Sequence, residues 1–223
     1  MLQFWKRLIQ TPLLVTSGMM FGLGTSIADY LGYRLDGWRI LLGLVTVWLI
    51  LSSSWTLYAY FELIARGTQP FSNRKEAKNG QVYPSPQTLL TGVIVLLTFS
   101  VAFGYTLSRS ATNPGLVVLM LVGLILSSVL FYGQPRMVFS GYGELIQALF
   151  ICNLVPAFAF SIHAPETHPS LLPVTFPLVL IFLGITLTLE LERFASDSKQ
   201  GRQSLLIRLG WQRGIPLQHI LIL

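Results

Sequence analysis

Charge is the scarcest property of this chain. Asp, Glu, Lys and Arg make up 11% of its 223 residues, against roughly 25% in an average soluble domain. So few charged groups cannot cover a water-facing surface. Cysteine is almost missing as well. Cys152 stands alone, which excludes an internal disulfide framework. There is no Walker loop, no GxSxG, no HExxH and no CxxC. Gly22-Leu23-Gly24 lies inside an apolar run and does not form a nucleotide loop.

What the chain has instead is hydrophobic sequence. Apolar residues account for 52% of it, and the mean hydropathy is +0.63. That balance excludes a disordered tail and a nucleic-acid-binding domain and points to a polytopic membrane protein. About 20 apolar residues in helical form cross a hydrocarbon core of about 30 Å. Six segments meet that requirement: Leu13–Gly32, Ile40–Phe61, Leu89–Leu107, Pro114–Tyr132, Leu145–Ile162 and Leu171–Leu189. The breakers between them are Asp36-Gly37, the polar stretch 67–87, Asn113-Pro114, Gly133-Gln134-Pro135 and residues 164–169. The expected fold is an all-α membrane helix bundle, a single domain over residues 1–223 with a tail from 190 to 223. Ile215–Leu223 is apolar but too short to span. Lys6-Arg7 and Ser26-Ile27-Ala28 imitate a signal peptide, yet the first segment is expected to be a membrane helix.

The net charge of +6 is then a matter of topology rather than of nucleic acid. With the N-terminus in the cytoplasm, one side of the membrane holds Lys6, Arg7, Arg66, Arg74, Lys75, Lys78, Arg136, Arg193, Lys199, Arg202, Arg208 and Arg213. The other holds Arg34, Arg39 and Arg109. This 12-to-3 asymmetry predicts that both termini and the 67–87 connection are cytoplasmic.

Polar groups at membrane depth need a reason. Asp29, Arg34 and Asp36 cluster beside the first connection and read as interfacial ion pairing. Glu62 ends the second span, and Glu190, Glu192, Arg193 and Asp197 follow the sixth. Both spans end on the same side, so these acidic groups are the ones able to converge. Ordinary helix-end charges at the headgroups explain them equally well. His163, Glu166 and His168 sit in a Pro-rich loop; without a third ligand pattern they read as solvated loop residues rather than a metal site. His219 lies near the C-terminus. Gly18, Gly22 and Ser26 recur at every fourth position, a small-residue stripe expected to pack against another helix of the chain.

One resemblance covers most of the sequence. Leu57-Tyr58-Ala59-Tyr60-Phe61-Glu62, with Arg66-Gly67-Thr68 and Pro70 after it, resembles the first motif of the UbiA-type intramembrane prenyltransferases. That motif reads Asn-Asp-Tyr-Phe-Asp. Tyr132-Gly133-Gln134-Pro135 and Gly141-Tyr142-Gly143-Glu144-Leu145 are similar to the corresponding loop and helix start of the 1,4-dihydroxy-2-naphthoate polyprenyltransferase branch. Arg193–Gly210 is similar to the second motif and its closing Arg-Leu-Gly, here Arg208-Leu209-Gly210.

The resemblance implies a cavity in which aspartates at the ends of helices two and six hold Mg²⁺, and Mg²⁺ holds an isoprenoid diphosphate. Mg²⁺ demands hard oxygen ligands, and without it the phosphates would face those carboxylates unscreened. Here the motifs are eroded. Ala59 stands at the first Asp and Arg193 at another, and a guanidinium cannot ligate a metal. Glu62 and Asp197 are the carboxylates left, 135 positions apart as in the family. The family bundle also continues for roughly three more helices than the six expected here. The expectation is therefore a non-catalytic relative that needs no cofactor. It would serve as a structural or lipid-, quinone- or pigment-binding subunit of a larger membrane complex, photosynthetic or respiratory. Its partners would be membrane lipid and other integral membrane subunits, not nucleic acid. The alternative is an active, divergent prenyltransferase with Mg²⁺ on Glu62 and Asp197 and the diphosphate on Arg66, Lys199 and Arg202. A transporter or channel would want charges or broken helices at mid-membrane, which the spans lack.

Overall fold

The computed structural model describes residues 11–65, 85–132, 143–199, 210, 216–217 and 219–221. Helices fall on all six expected spans. They are α1 (Thr11–Tyr30), α2 (Gly37–Ala65), α3 (Pro86–Ser110), α4 (Pro114–Tyr132), α5 (Gly143–Ser161) and α6 (Leu171–Lys199). No strand occurs among the described residues. The chain is an all-α membrane helix bundle. Helices α2, α3, α5 and α6 each carry a stretch long and apolar enough to cross a bilayer, and α4 is apolar over the shorter run Pro114–Val129. Helix α1 has 20 residues, about 30 Å at 1.5 Å per residue. It is diluted by Thr16, Ser17, Thr25, Ser26 and three glycines.

Local chemistry sets the helix ends. Helix α1 stops at Gly32, whose φ of +83° lies in the left-handed region. The Gly32 and Tyr33 amides turn back to the Asp29 and Ala28 carbonyls at 2.8 and 3.0 Å, a complete Schellman closure. Asp36 opens α2 by accepting from the Trp38 amide at 3.1 Å. Ser85 caps α3 ahead of Pro86. Asn113 caps α4 by accepting from the Leu116 amide at 3.1 Å, just before Pro114.

Helix α5 lies at the centre and packs against α1, α2, α4 and α6. Its Ile151, Cys152, Val155, Phe158 and Ala159 are fully buried. The helix is wider at Phe150–Leu154, where one π turn interrupts the α-helical ladder and the Val155 amide reaches the Phe150 carbonyl. Pro156 explains the position of this turn. A proline has no N–H to give the carbonyl four residues earlier, so the ladder is rearranged immediately before it. The same proline lies hard against Gly24 of α1. A Cβ at Gly24 would lie 2.8 Å from Pro156 Cα and 2.9 Å from Ala159 Cβ.

Hydroxyls inside the spans are satisfied locally, as a solvent without hydrogen bonds requires. Ser17, Thr25, Thr46, Ser53 and Thr56 each donate to a carbonyl three or four residues back at 2.7–2.8 Å. Ser54 of α2 and Ser128 of α4 add a buried bond between helices. Helix α3 faces outward along much of its length, with Ile94, Val95, Phe99, Val101 and Tyr105 exposed, so its apolar side meets lipid.

Candidate functional site

The residues singled out from the sequence fall at two opposite ends of the bundle. At one end α2 finishes and α5 begins. Ala59, which the resemblance sets at the first motif's aspartate, is buried at 7% exposure. Tyr60 and Phe61 stack edge to face with centroids 5.3 Å apart. Glu62 lies in the last turns of α2, and Arg193, Asp197 and Lys199 lie in the last turns of α6. The side chains of these four are outside the described residues. Arg66 and Arg202 lie outside them altogether. Helix α6 runs unbroken through Arg193 and Asp197, so these positions, four apart, share one helix face. It packs along α5. Glu144 opens α5, and its Oε2 is buried without a hydrogen-bond partner.

The opposite end is formed by the connections 31–36, 111–113 and 162–170. They are tied together. Tyr33 meets Phe160 edge to face at 5.8 Å. Asn113 donates from Nδ2 to the Pro165 carbonyl at 2.8 Å, and Thr112 donates to the His163 carbonyl at 3.4 Å. Asp29 and Arg34 are exposed. The ion pair at this end joins Asp36 to Arg39 at 3.5 Å, rather than to Arg34. Helical spacing explains the choice, because Arg39 follows Asp36 by three residues across the first turn of α2.

His163 corrects the reading of a solvated loop residue. It is only 4% exposed, and its ring faces the Arg34 carbonyl without a hydrogen bond of regular geometry at either nitrogen. Arg39 Nε is likewise buried, and it is the atom that faces Asp36 Oδ2 in the 3.5 Å ion pair. Burial, and then the nearby Arg39 charge, hold the His163 pKa below its usual 6.5. The Arg34 carbonyl and the Asp36 charge pull the other way. An unsatisfied buried polar group costs about 1–3 kcal/mol. A signal for this burial was available: Pro156, Ala159, Phe160 and His163 follow the i, i+3, i+4, i+7 spacing of one helix face. His168 is exposed and bonds through Nδ1 to Ser170 Oγ at 2.7 Å. Among the described residues no three His, Cys, Asp or Glu side chains gather as a metal site. His219 is exposed near the C-terminus.

The small-residue stripe of α1 does not make the close contact. Gly18 touches Trp48 and Leu44 at 3.7 and 3.9 Å, ordinary van der Waals distances. Gly22 has open space where a Cβ would go, and Ser26 is exposed. The buried face runs instead through Ser17, Phe21, Gly24, Thr25 and Ala28.

No family model matches the chain, and no curated protein shows significant similarity to it.

Proposed function

We propose that this integral membrane protein is a non-catalytic bundle of the UbiA type. It acts as a structural or lipid-, quinone- or pigment-binding subunit of a larger membrane complex, with both termini on the cytoplasmic side. The observation that carries the reading is Ala59. Its methyl group occupies a buried position on α2 where the resemblance asks for a metal-ligating aspartate. A methyl group offers no oxygen, and Mg²⁺ is held by carboxylates and water. The charge reversal at Arg193 acts in the same direction, since a fixed cation does part of the electrostatic work of a metal without activating a diphosphate. The 12-to-3 asymmetry of basic residues supports the orientation.

The test is direct. Purified chain is incubated with Mg²⁺, polyprenyl diphosphates and aromatic acceptors such as dihydroxynaphthoate. No prenylated product is expected. Metal-dependent product formation by the chain alone overturns the proposal in favour of a divergent prenyltransferase. Mass measurement after isolation in mild detergent tests the subunit role. Partner chains or a retained hydrophobic ligand are expected, and a bare monomer contradicts them.

A further inference from the structure

We propose that two copies of the chain pair in the membrane along one open line of α5, joined at its middle by reciprocal hydrogen bonds between their Asn153 carboxamides. The inference does not depend on the UbiA reading.

The exposures trace the line. Helix α5 packs against α1, α2, α4 and α6, yet Leu145 and Leu149 are 36% and 37% exposed. Asn153 and Ala157, at the next two steps of four, are half-buried. In a regular helix every fourth residue runs ahead by about 40°. The π turn at Phe150–Leu154 winds less per residue. It takes back that drift and returns Asn153 to the line of the leucines.

Asn153 has part of its hydrogen bonding unmet. At 1.5 Å per residue it lies about 15 Å from Gly143 and about 12 Å from Ser161, in the middle of a hydrocarbon core about 30 Å thick. One end of its carboxamide meets Thr175 Oγ1 at 3.5 Å. That hydroxyl already gives its proton to the Leu171 carbonyl at 2.9 Å. Asn153 makes no other side-chain bond among the described residues. Whichever end of the carboxamide turns toward Thr175, the other end is left over. Other partly exposed polar groups inside the spans are met at home. Thr98, Thr106, Ser127 and Thr186 each donate to a carbonyl of their own helix. Gln147 lies only about 6 Å from Gly143 at the start of α5, within reach of the headgroups.

Hydrocarbon supplies neither donor nor acceptor, so an open carboxamide at that depth is costly. Water and headgroups are out of reach, and the occupant must bring a polar group to mid-membrane. A second copy does so without further conditions. A two-fold axis along the membrane normal sets every residue at the depth of its own copy. A carboxamide is its own complement: each N–H donates to the other's carbonyl, and the carbonyl oxygen has a second lone pair for any bond from Thr175. Ala157, next on the line, is small enough to let the two α5 helices come close. Leu145 and Leu149 then pack against their counterparts.

The experiment uses the full chain in phosphatidylcholine bilayers. Copies carrying a donor or an acceptor fluorophore are mixed, and energy transfer is followed as the lipid-to-protein ratio is raised. Saturable transfer with a two-chain stoichiometry is expected. Asn153→Leu should raise the dissociation constant about tenfold, the loss of two interhelical bonds of average strength. Asn153→Gln keeps a carboxamide and should keep most of the pairing. Asn153→Leu removes an unmet polar group from hydrocarbon, so it should fold, which circular dichroism checks. A second arm does not need that variant. In a Cys152→Ala background, Leu149→Cys should give a disulfide-linked dimer in membranes under mild oxidation. Val95→Cys, on the outward face of α3 at 45% exposure, should not. A monomer at every ratio, a dimer indifferent to Asn153→Leu, or equal cross-linking at the two cysteine positions overturns the proposal. So does a monomer that retains a carbonyl-bearing hydrophobic molecule, which would mean that a ligand and not a second copy meets Asn153.

Discussion

Replacing Gly24 by alanine is the sharpest test of the helix arrangement. The added methyl would lie 2.8 Å from Pro156 Cα and 2.9 Å from Ala159 Cβ, with the Pro156 carbonyl oxygen nearer still. Carbon atoms settle at roughly 3.5–4.0 Å, so α1 and α5 must separate by about 1 Å. The obstacles are backbone and a side chain of one carbon, and none can swing aside. Overpacking of this kind costs about 1–3 kcal/mol, and the absence of a flexible neighbour places Gly24→Ala at about 2–3 kcal/mol. The matched control is Gly22→Ala, two residues away on the same helix, where nothing lies within 4 Å. It should be neutral or gain up to about 1 kcal/mol from helix propensity. Unfolding of both variants in detergent, followed by circular dichroism against temperature or denaturant, measures the difference. A neutral Gly24→Ala, or equal losses in the two variants, would refute the packing of α1 on α5.

The other expectations concern single bonds and one titration. A double-mutant cycle on Ser54→Ala and Ser128→Ala should give a coupling of about 0.6 kcal/mol, since hydroxyl bonds between membrane helices average about that much; a coupling indistinguishable from zero removes this link between α2 and α4. Asn113→Ala gives up the cap on the Leu116 amide and the bond to Pro165, and should cost about 1–2 kcal/mol; a Tm equal to the parent's contradicts the tie between the two connections. Because the folded state holds the His163 pKa below 6.5, the unfolded chain binds more protons just under that pH. Stability should fall as pH drops below 6.5, and His163→Leu should flatten that slope. An unchanged slope in the variant would assign the effect to another group.

The span pattern was legible because lipid imposes one rule on every residue of a helix. Apolar length alone placed α1 to α6, and the breakers Asp36 and Asn113 turned out to be caps with identified bonds. The faces of the helices were less legible. In water, the polar side of a helix marks its exposed face, but in a bilayer both faces are apolar and the pattern is flat. That is why Gly18, Gly22 and Ser26 suggested a seam while the close approach fell at Gly24. The π turn at Phe150–Leu154 was hidden for a related reason. Pro156 announces a disturbed ladder, but not whether the helix kinks, breaks or gains a residue. His163 was misplaced because a Pro-rich neighbourhood outweighed the helical spacing that leads into it. At the Glu62 and Asp197 end the sequence gives identities and order, and Ala59 adds burial.

Ala59 also supplies a test that joins fold to function. The resemblance reads it as an aspartate that has been lost, and Ala59→Asp restores the carboxylate. At 7% exposure, a new charge there is taken out of both water and headgroups. An aspartate at membrane depth costs about 2.5–3.5 kcal/mol on insertion scales, so the variant should be destabilised by about that amount, or hold its new carboxyl protonated. The outcome with Mg²⁺ then separates the two readings. If a cradle for a metal diphosphate surrounds this position, Mg²⁺ with inorganic pyrophosphate should bind the new carboxylate and recover stability by mass action. In the non-catalytic bundle proposed above the rest of the ligand set is missing, and one carboxylate cannot hold a cation that keeps most of its own water. The expected result is a destabilised variant whose Tm does not respond to Mg²⁺ and pyrophosphate. A saturable rise in Tm in Ala59→Asp, absent from the parent chain, would show that the other ligands of a metal site are in place and would overturn the non-catalytic proposal.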